Sequence, residues 1–413
     1  MARPGLIRLA GMIAATATYA AAATEAAAQS QPLVLNNQLQ LGDVVAGQTL
    51  NVVDASDQVT VSNSAVGVSL AGGSDGHDAL VVSTQEMRGD TRARVDLTLS
   101  GDTGGRVTVA NQARGTYLGA TVDSAEIAID AAQTTTGQVR ATTNIGEDNA
   151  RLLAGGTIAT GAIGNTVAVG GDQVGVLMGL DQRAEGSVRA STFVATQYIP
   201  AEAEVSSQAL ANAVQTSGNV ASTQRMGVRQ RSTGALVEAA TSANAGNAWD
   251  LAGRANAGAN QIVVGNQGGS IVVETDQGNT SDVRAASVVT AYDYGKATSY
   301  ARAAANEVQA GNNDRYVEID NTQLNSGGVE ASARFAGTQG YDVYLGADAV
   351  GNTITGYACS TCTAYMDATN SQTNNGDVTA TVSGAVAGQG RAVIGSATAT
   401  GNSATFYVSR PGG

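Results

Sequence analysis

Hydrophobic and polar residues alternate along this chain in short runs, not at helical spacing. The runs AEIAID (125–130), VGVLMGLD (174–181), SIVVETD (270–276) and RYVEID (315–320) have the pattern of half-buried or fully buried strands. Such runs lead into a Gln, three mostly polar residues, and then Gly or Ser. That combination predicts a turn in which Gly permits positive φ. Alternation then resumes as Val-x-Ala. In VRAST, Val188 and Ala190 share one face and Arg189 takes the other. The residue after Val is often charged (Arg92, Arg140, Arg189, Glu238, Arg284, Glu330), which marks that face as the outside. Two Ala-rich runs, SSQALANAV (206–214) and SYARAAANEV (299–308), suit either a helix or a strand with small inward residues.

The strand–turn–strand unit recurs eight times. Its copies begin at Gln38, Gln85, Gln133, Gln182, Gln230, Gln277, Gln323 and Gln372. Successive starts are 47, 48, 49, 48, 47, 46 and 49 residues apart, and the fifth copy carries one extra residue before its Val. A second landmark is an Asn after a small residue: Asn63, Asn111, Asn165, Asn212, Asn260, Asn312, Asn352 and Asn402. Its position in each interval suggests two half-repeats of about 24 residues.

A unit this small buries no core alone, so neighbours must stack. The fold predicted is all-β, a repetitive β-solenoid of about eight repeats of about 48 residues. It winds one or two coils per repeat; with two, of about 24 residues each, it has about sixteen rungs and a length of ~75 Å at ~4.8 Å per rung. The repeated Gln and Asn then stack into amide ladders along the axis. An eight-bladed β-propeller is the alternative, because blades of roughly 40–50 residues match the period. Blades normally pack bulky apolar and aromatic side chains, however, and this chain has one Trp and three Phe. A string of eight sandwich modules would make each module very small.

Residues 1–28 read as a secretory signal peptide. Arg3 and Arg8 form its basic start, Leu9 to Ala23 its apolar stretch, and cleavage falls between Ala28 and Gln29. Residues 29–413 then form a single repetitive β domain. The net charge is −13, and Lys296 is the only lysine among 22 basic residues. That balance argues against nucleic acid or an anionic lipid surface as partner. Charged residues make up only 14%, which argues against a solvated disordered chain.

Candidate chemistry is sparse. Cys359 and Cys362 (ACSTCTAY) predict a local disulfide in an exported protein, since a redox or zinc role lacks the surrounding elements. His77, the only histidine, sits in the Gly/Asp loop GGSDGHDAL (72–80), which approximates one calcium nonapeptide with a residue too many. Turn acids such as Asp43, Asp90, Asp282 and Asp377 could hold calcium only weakly, and are expected as turn residues. Arg88-Gly89-Asp90 spells an adhesion tripeptide, but its Gly and Asp already belong to the second repeat's turn. Asp54 with Asp57, or Glu202 with Glu204, could be cast as a glycosidase pair, yet no aromatic platform for a sugar ring is evident nearby. The expectation is a protein with no catalytic residue, cofactor or metal, and not an enzyme. The C-terminal ATFYVSRPGG and the Ala, Thr and Ser at alternating positions differ from the bulky lipid-facing pattern of an outer-membrane barrel.

The Q-x3-G spacing with a later Asn is similar to curlin repeats. The segment QSQPLVLNNQLQLGDVVAGQTLNVV (29–53), the repeat series and the length together resemble the holdfast attachment protein D family of stalked alphaproteobacteria. The resemblance implies an exported, outer-membrane-associated surface protein, at the pole or stalk tip, that anchors an adhesive polysaccharide (holdfast) to the envelope. It also implies a curlin-like anchor subunit and an outer-membrane secretion channel as partners. Self-association is expected from amide ladders and exposed β edges. The alternative is a secreted polysaccharide-processing enzyme on a β-helix scaffold, which needs carboxylates clustered with basic and aromatic residues on one face.

Overall fold

The computed structural model describes residues 32–146, 149–314, 316–359 and 364–408. The expected signal peptide with its Ala28–Gln29 cleavage pair, and Cys362, lie outside the described residues. No helix occurs among the described residues, and the fold is a β-solenoid. Its first coil consists of β1 (Leu33–Gln40), β2 (Val44–Val52) and β3 (Val59–Asp75). These three limbs recur in every coil and are called here the Gln limb, the Val limb and the Asn limb. In coils four to seven the Val and Asn limbs run together as single bent strands: Val188–Asn219, Leu236–Asn266, Asp282–Asn312 and Val329–Ala358. The two Ala-rich runs that suited helix or strand lie inside these strands, with Ala209, Ala211, Ala301, Ala303 and Ala305 turned inward.

Every pairing between coils is parallel, and the fourth and fifth coils shift register at a bulge between Ile199 and Glu202. Gln38 lies beside Gln85, and the row continues through Gln133, Gln182, Gln230, Gln277 and Gln323 to Gln372. The eight Gln limbs form one open sheet and the Val limbs run along a second. This excludes the propeller, whose blades are separate antiparallel sheets. It also decides between one and two coils per repeat. The Gln and Asn marks sit on different limbs of the same coil, so each repeat makes one large coil and not two small ones. Eight coils at ~4.8 Å make a stack about 38 Å tall. An Asn limb of 17 residues, at ~3.3 Å each, spans about 55 Å, so the solenoid is broader than it is tall.

The core has three zones. The start of the Gln limb (Ile127, Ile129, Met178) packs on the end of the Asn limb (Leu118, Val167, Val214). The end of the Val limb (Leu97, Ile145, Val194) packs on the start of the Asn limb (Val109, Ile158, Val205). Between them lies a thin zone of Val and Ala, including Val188, Ala190, Ala209 and Ala211. The Val-x-Ala motif is therefore the inner face of this middle zone, as the alternation predicts.

The turn glycines need a different explanation from the one expected. Among the described residues, positive φ occurs at Gly76, Ser124, Gln173, Val220, Ala221, Gly268, Gly269 and Cys359, between an Asn limb and the next Gln limb, and also at Gly155. None of these is the Gly of the Gln-x3-Gly turn. What that Gly requires is space. A Cβ on Gly137, Gly186 or Gly376 would run into the carbonyl oxygen of the turn glycine one coil earlier. Gly186→Ala should therefore destabilise the protein by about 3 kcal/mol, the upper range for overpacking. Gly72, with open space around its Cβ position, should accept Ala within about 0.5 kcal/mol. Urea unfolding of both variants checks the contrast.

Candidate functional site

Two amide ladders cross the thin middle of the core. Each Gln from Gln85 to Gln372 donates its Nε2 to the Oε1 of the Gln one coil earlier, at 2.7–3.3 Å. The same nitrogen also donates across the core to a backbone carbonyl of the Asn limb: Tyr117, Thr166, Ala213, Gln261, Glu307, Thr353 and Ser403 in turn. The Asn ladder runs with the opposite polarity. Asn165, Asn212, Asn260, Asn306 and Asn352 each donate to the Oδ1 of the Asn one coil later, at 2.7–2.8 Å. Each also donates back to the carbonyl just after a ladder Gln: Arg183, Arg231, Gly278, Leu324 and Thr373. The two limbs are thus stapled reciprocally, and six of the eight Gln are at most 1% exposed.

The Asn landmark proves to be more than one row. Asn63 and Asn111 stand beside Thr160, five residues before the row of Asn165, whose second-coil member is Thr116. Thr116 Oγ1 joins that row by donating to Asn165 Oδ1 at 2.9 Å. In the sixth coil the ladder residue is Asn306, while Asn312 stacks instead on Asn266 at the limb's end. A further ladder, Asn279–Asn325–Asn374 at 2.7–2.8 Å, also closes the turn after each Gln, and the sequence reading missed it.

Beside the Asn ladder sits a buried ion pair. Glu307, 3% exposed, receives two hydrogen bonds from Arg302 at 2.8 and 3.0 Å and others from Gln261 and Gln309. Burial alone would raise its carboxyl pKa. The Arg302 hydrogen bonds and charge outweigh that, and hold it below the ordinary value.

The bend between Val and Asn limbs carries the cleft that stands out on the surface. It has a volume of about 480 Å³, and its lining includes Tyr198, Asn247, Trp249, Asp293, Tyr294, Gln339, Tyr341 and Gln389. The register explains the grouping: Tyr198, Asn247, Asp293 and Gln339 fall in one column on successive coils, and Ala248, Tyr294 and Gly340 in the next. Trp249 is 62% and Tyr341 52% exposed, and their rings meet edge to face at 6.2 Å. The coil between them places Gly295 against the Trp249 indole, where a Cβ would collide with the ring. Arg391 lies over Tyr341 at 5.4 Å and pairs with Asp342, while Lys296 pairs with Asp250 at 3.2 Å. In the cleft wall, Asp293 Oδ1 and the Tyr294 hydroxyl are shielded from water and have no hydrogen-bond partner. The Tyr294 phenol is pushed above its ordinary pKa by burial and then by the nearby Asp342 charge, so it is a neutral donor. The arrangement offers an apolar platform beside unsatisfied polar atoms and three amide side chains, with the rim charges already paired. The expectation that no aromatic platform lies near Glu202 is thereby corrected, because Glu202 stands beside Asp250, the residue after Trp249.

A sequence profile of the holdfast attachment protein D family matches residues 53–328, more than half of the chain. The chain belongs to the holdfast attachment protein D family. No curated protein and no solved structure matches it. The matched span of this family member holds Tyr198, Trp249, Asp293 and Tyr294, while Tyr341 and Gln389 lie beyond it.

The remaining candidate residues of this holdfast attachment protein stay apart. His77 is an exposed loop residue whose Nδ1 meets the Asp75 carbonyl at 2.9 Å. Among the described residues no three His, Cys, Asp or Glu side chains come together as metal ligands. The turn acids instead cap the next coil: Asp43 accepts from the Asp90 amide, Asp90 from the Gln138 amide and Asp282 from the Gly328 amide. Arg88 of the tripeptide pairs with Glu86, and Glu204 pairs with Arg254. Cys359 is fully buried, and its pairing with Cys362 remains a proposal.

Gln230→Leu removes a buried amide from the middle of the ladder and strands its neighbours, so it should cost about 3 kcal/mol. Gln38→Leu at the half-exposed end should cost under about 1 kcal/mol, and thermal melts compare them. Arg302→Leu leaves Glu307 buried without its cation and should cost about 3–5 kcal/mol at neutral pH. Because the folded-state pKa of Glu307 is depressed, the pair's stabilisation is present above its ordinary value of 4.5 and fades as pH falls through the lower folded value. The gap between wild type and Arg302→Leu should therefore narrow on acidification, as denaturation at pH 7 and pH 3 would reveal.

Proposed function

We propose that this chain is an exported cell-surface structural protein that anchors an adhesive polysaccharide, the holdfast, to the outer envelope. Family membership carries this reading. The partners it calls for are the polysaccharide itself, a curlin-like anchor subunit and an outer-membrane secretion channel, with the protein at the pole or stalk tip. The fold supports a structural role, since its stacked coils form a broad scaffold whose core amides are spent on cross-linking.

Self-assembly is part of the proposal. Among the described residues both end coils present open β edges and apolar side chains: Leu35, Leu41 and Val45 in the first, Ile394, Phe406 and Tyr407 in the last. Unpaired edges of this kind are templates for further pairing. In such an assembly the purified protein runs as SDS-resistant multimers before boiling. A monomer band with and without boiling counts against assembly alone. The test of anchoring is deletion of the gene in its own host. Cells should still make the adhesive but shed it into the medium. Normal retention with altered glycan length would assign the chain to polysaccharide processing instead.

A further inference from the structure

We propose that the aromatic cleft on coils four to eight is a carbohydrate-binding site that seats pyranose units of a polysaccharide, with Trp249 as its stacking platform. Trp249 and Tyr341 are large aromatic side chains left more than half exposed at one spot. Side chains of that kind bring contact area at little entropic cost, and combine an apolar face with a polar edge. Other exposed aromatic side chains, such as Phe193, Tyr292 and Tyr344, do not line the cleft. The C–H face of a sugar ring fits flat against such a platform, and its hydroxyls need donors and acceptors at the ring's edge.

Those groups are present. Asn247, Gln339 and Gln389 supply amides, and Asp293 Oδ1 and the Tyr294 hydroxyl lack partners in the free chain. A shielded polar atom without a hydrogen bond destabilises the free site, and a ligand hydroxyl relieves this directly or through a water. The cation and anion pairs at the rim, Lys296–Asp250 and Arg391–Asp342, cancel. Asp293 is then the one charge in the lining, so the site favours a hydroxyl-rich ring over a phosphate, with the carboxylate accepting from ring hydroxyls. The lining extends over successive coils ~4.8 Å apart, which suits a polymer lying across several coils. The identity of the polymer rests on the anchor reading above, while the cleft rests on its own geometry.

Trp249 is the only tryptophan in the chain, so its emission reports on this cleft and on nothing else. Oligosaccharides released from the cell's adhesive polysaccharide by partial hydrolysis should shift the emission of the full-length protein to the blue, saturably, and shield it from acrylamide. By calorimetry, Trp249→Ala and Tyr341→Ala should each weaken binding at least tenfold with unchanged melting temperature. Tyr294→Phe and Asp293→Asn, which keep shape, should weaken it several-fold. If the oligosaccharides bind while Trp249 emission and the Trp249→Ala affinity stay unchanged, the cleft assignment is overturned and the anchor reading stands. If they do not bind but cellohexaose does shift Trp249, the cleft is a sugar site and direct anchoring of that polymer fails. If neither sugar binds, both fail.

Discussion

An amide buried in an apolar layer must find hydrogen-bond partners, and here it finds them only in the neighbouring coil and the opposite limb. Each ladder Gln reaches back one coil and across to the Asn limb, and each ladder Asn reaches forward one coil and across to the Gln limb. A Gln's bond across the core stays within its own coil, but no coil satisfies all its amides alone, because each ladder amide shares a further bond with a neighbouring coil. The arrangement makes the stack cooperative, because unsatisfied partners are left wherever it is interrupted. It also fixes register, since a slip of one residue would carry every Gln to the outer face. The fifth repeat shows how strictly. Its extra residue lies between Gln230 and Val237, yet Gln230 still pairs with Gln182 and Val237 with Val188. The turn absorbs the insertion, and the ladders do not move.

The unusual composition follows from the same constraint. A Gln side chain on one sheet can reach a carbonyl on the other only where the layers approach closely. The residues around the ladders are accordingly Ala and Val, with small residues such as Gly164, Ala211 and Ala259 beside the Asn row. Bulkier Leu, Ile and Met collect in the two outer zones, where the limbs diverge. Glycine at the turn serves close approach between coils and not backbone handedness. For that reason the left-handed residues are found at another corner, and are often not glycine: Ser124, Gln173 and Ala221.

Much of this was legible because the period is written in the residues. The Gln spacing, the Val-x-Ala alternation and the charged position after Val led to stacked β coils, amide ladders along the axis and an outward charged row; that the amides are buried across the core came from the structure. The number of coils per repeat was not legible. Asn63 and Asn165 look alike in sequence, but they occupy rows five residues apart, and only pairing across coils distinguishes them. The turn glycine misled for a related reason: local propensity describes a single turn, whereas the decisive contact comes from a residue 49 positions earlier. The cleft residues were hidden by distance along the chain. Trp249, Gly295 and Tyr341 are 46 residues apart, close to the repeat length, so phase within the repeat was the one available signal.

That phase relation ties recognition to the scaffold. A column of side chains drawn from successive coils has a defined shape only while the coils keep register, and the ladders are what keep it. Trp249 lies over Gly295, and Tyr294 beside Gly340, because neighbouring coils are aligned to the residue. A site assembled on strands in this way is ordered before any ligand arrives, so little binding energy goes into arranging it. The same property exposes it to damage from afar. Disrupting an amide in the thin middle zone, well away from Trp249, shifts the alignment of every column in the affected coils. In this holdfast attachment protein, the shape of the cleft therefore depends also on buried glutamines that lie outside it.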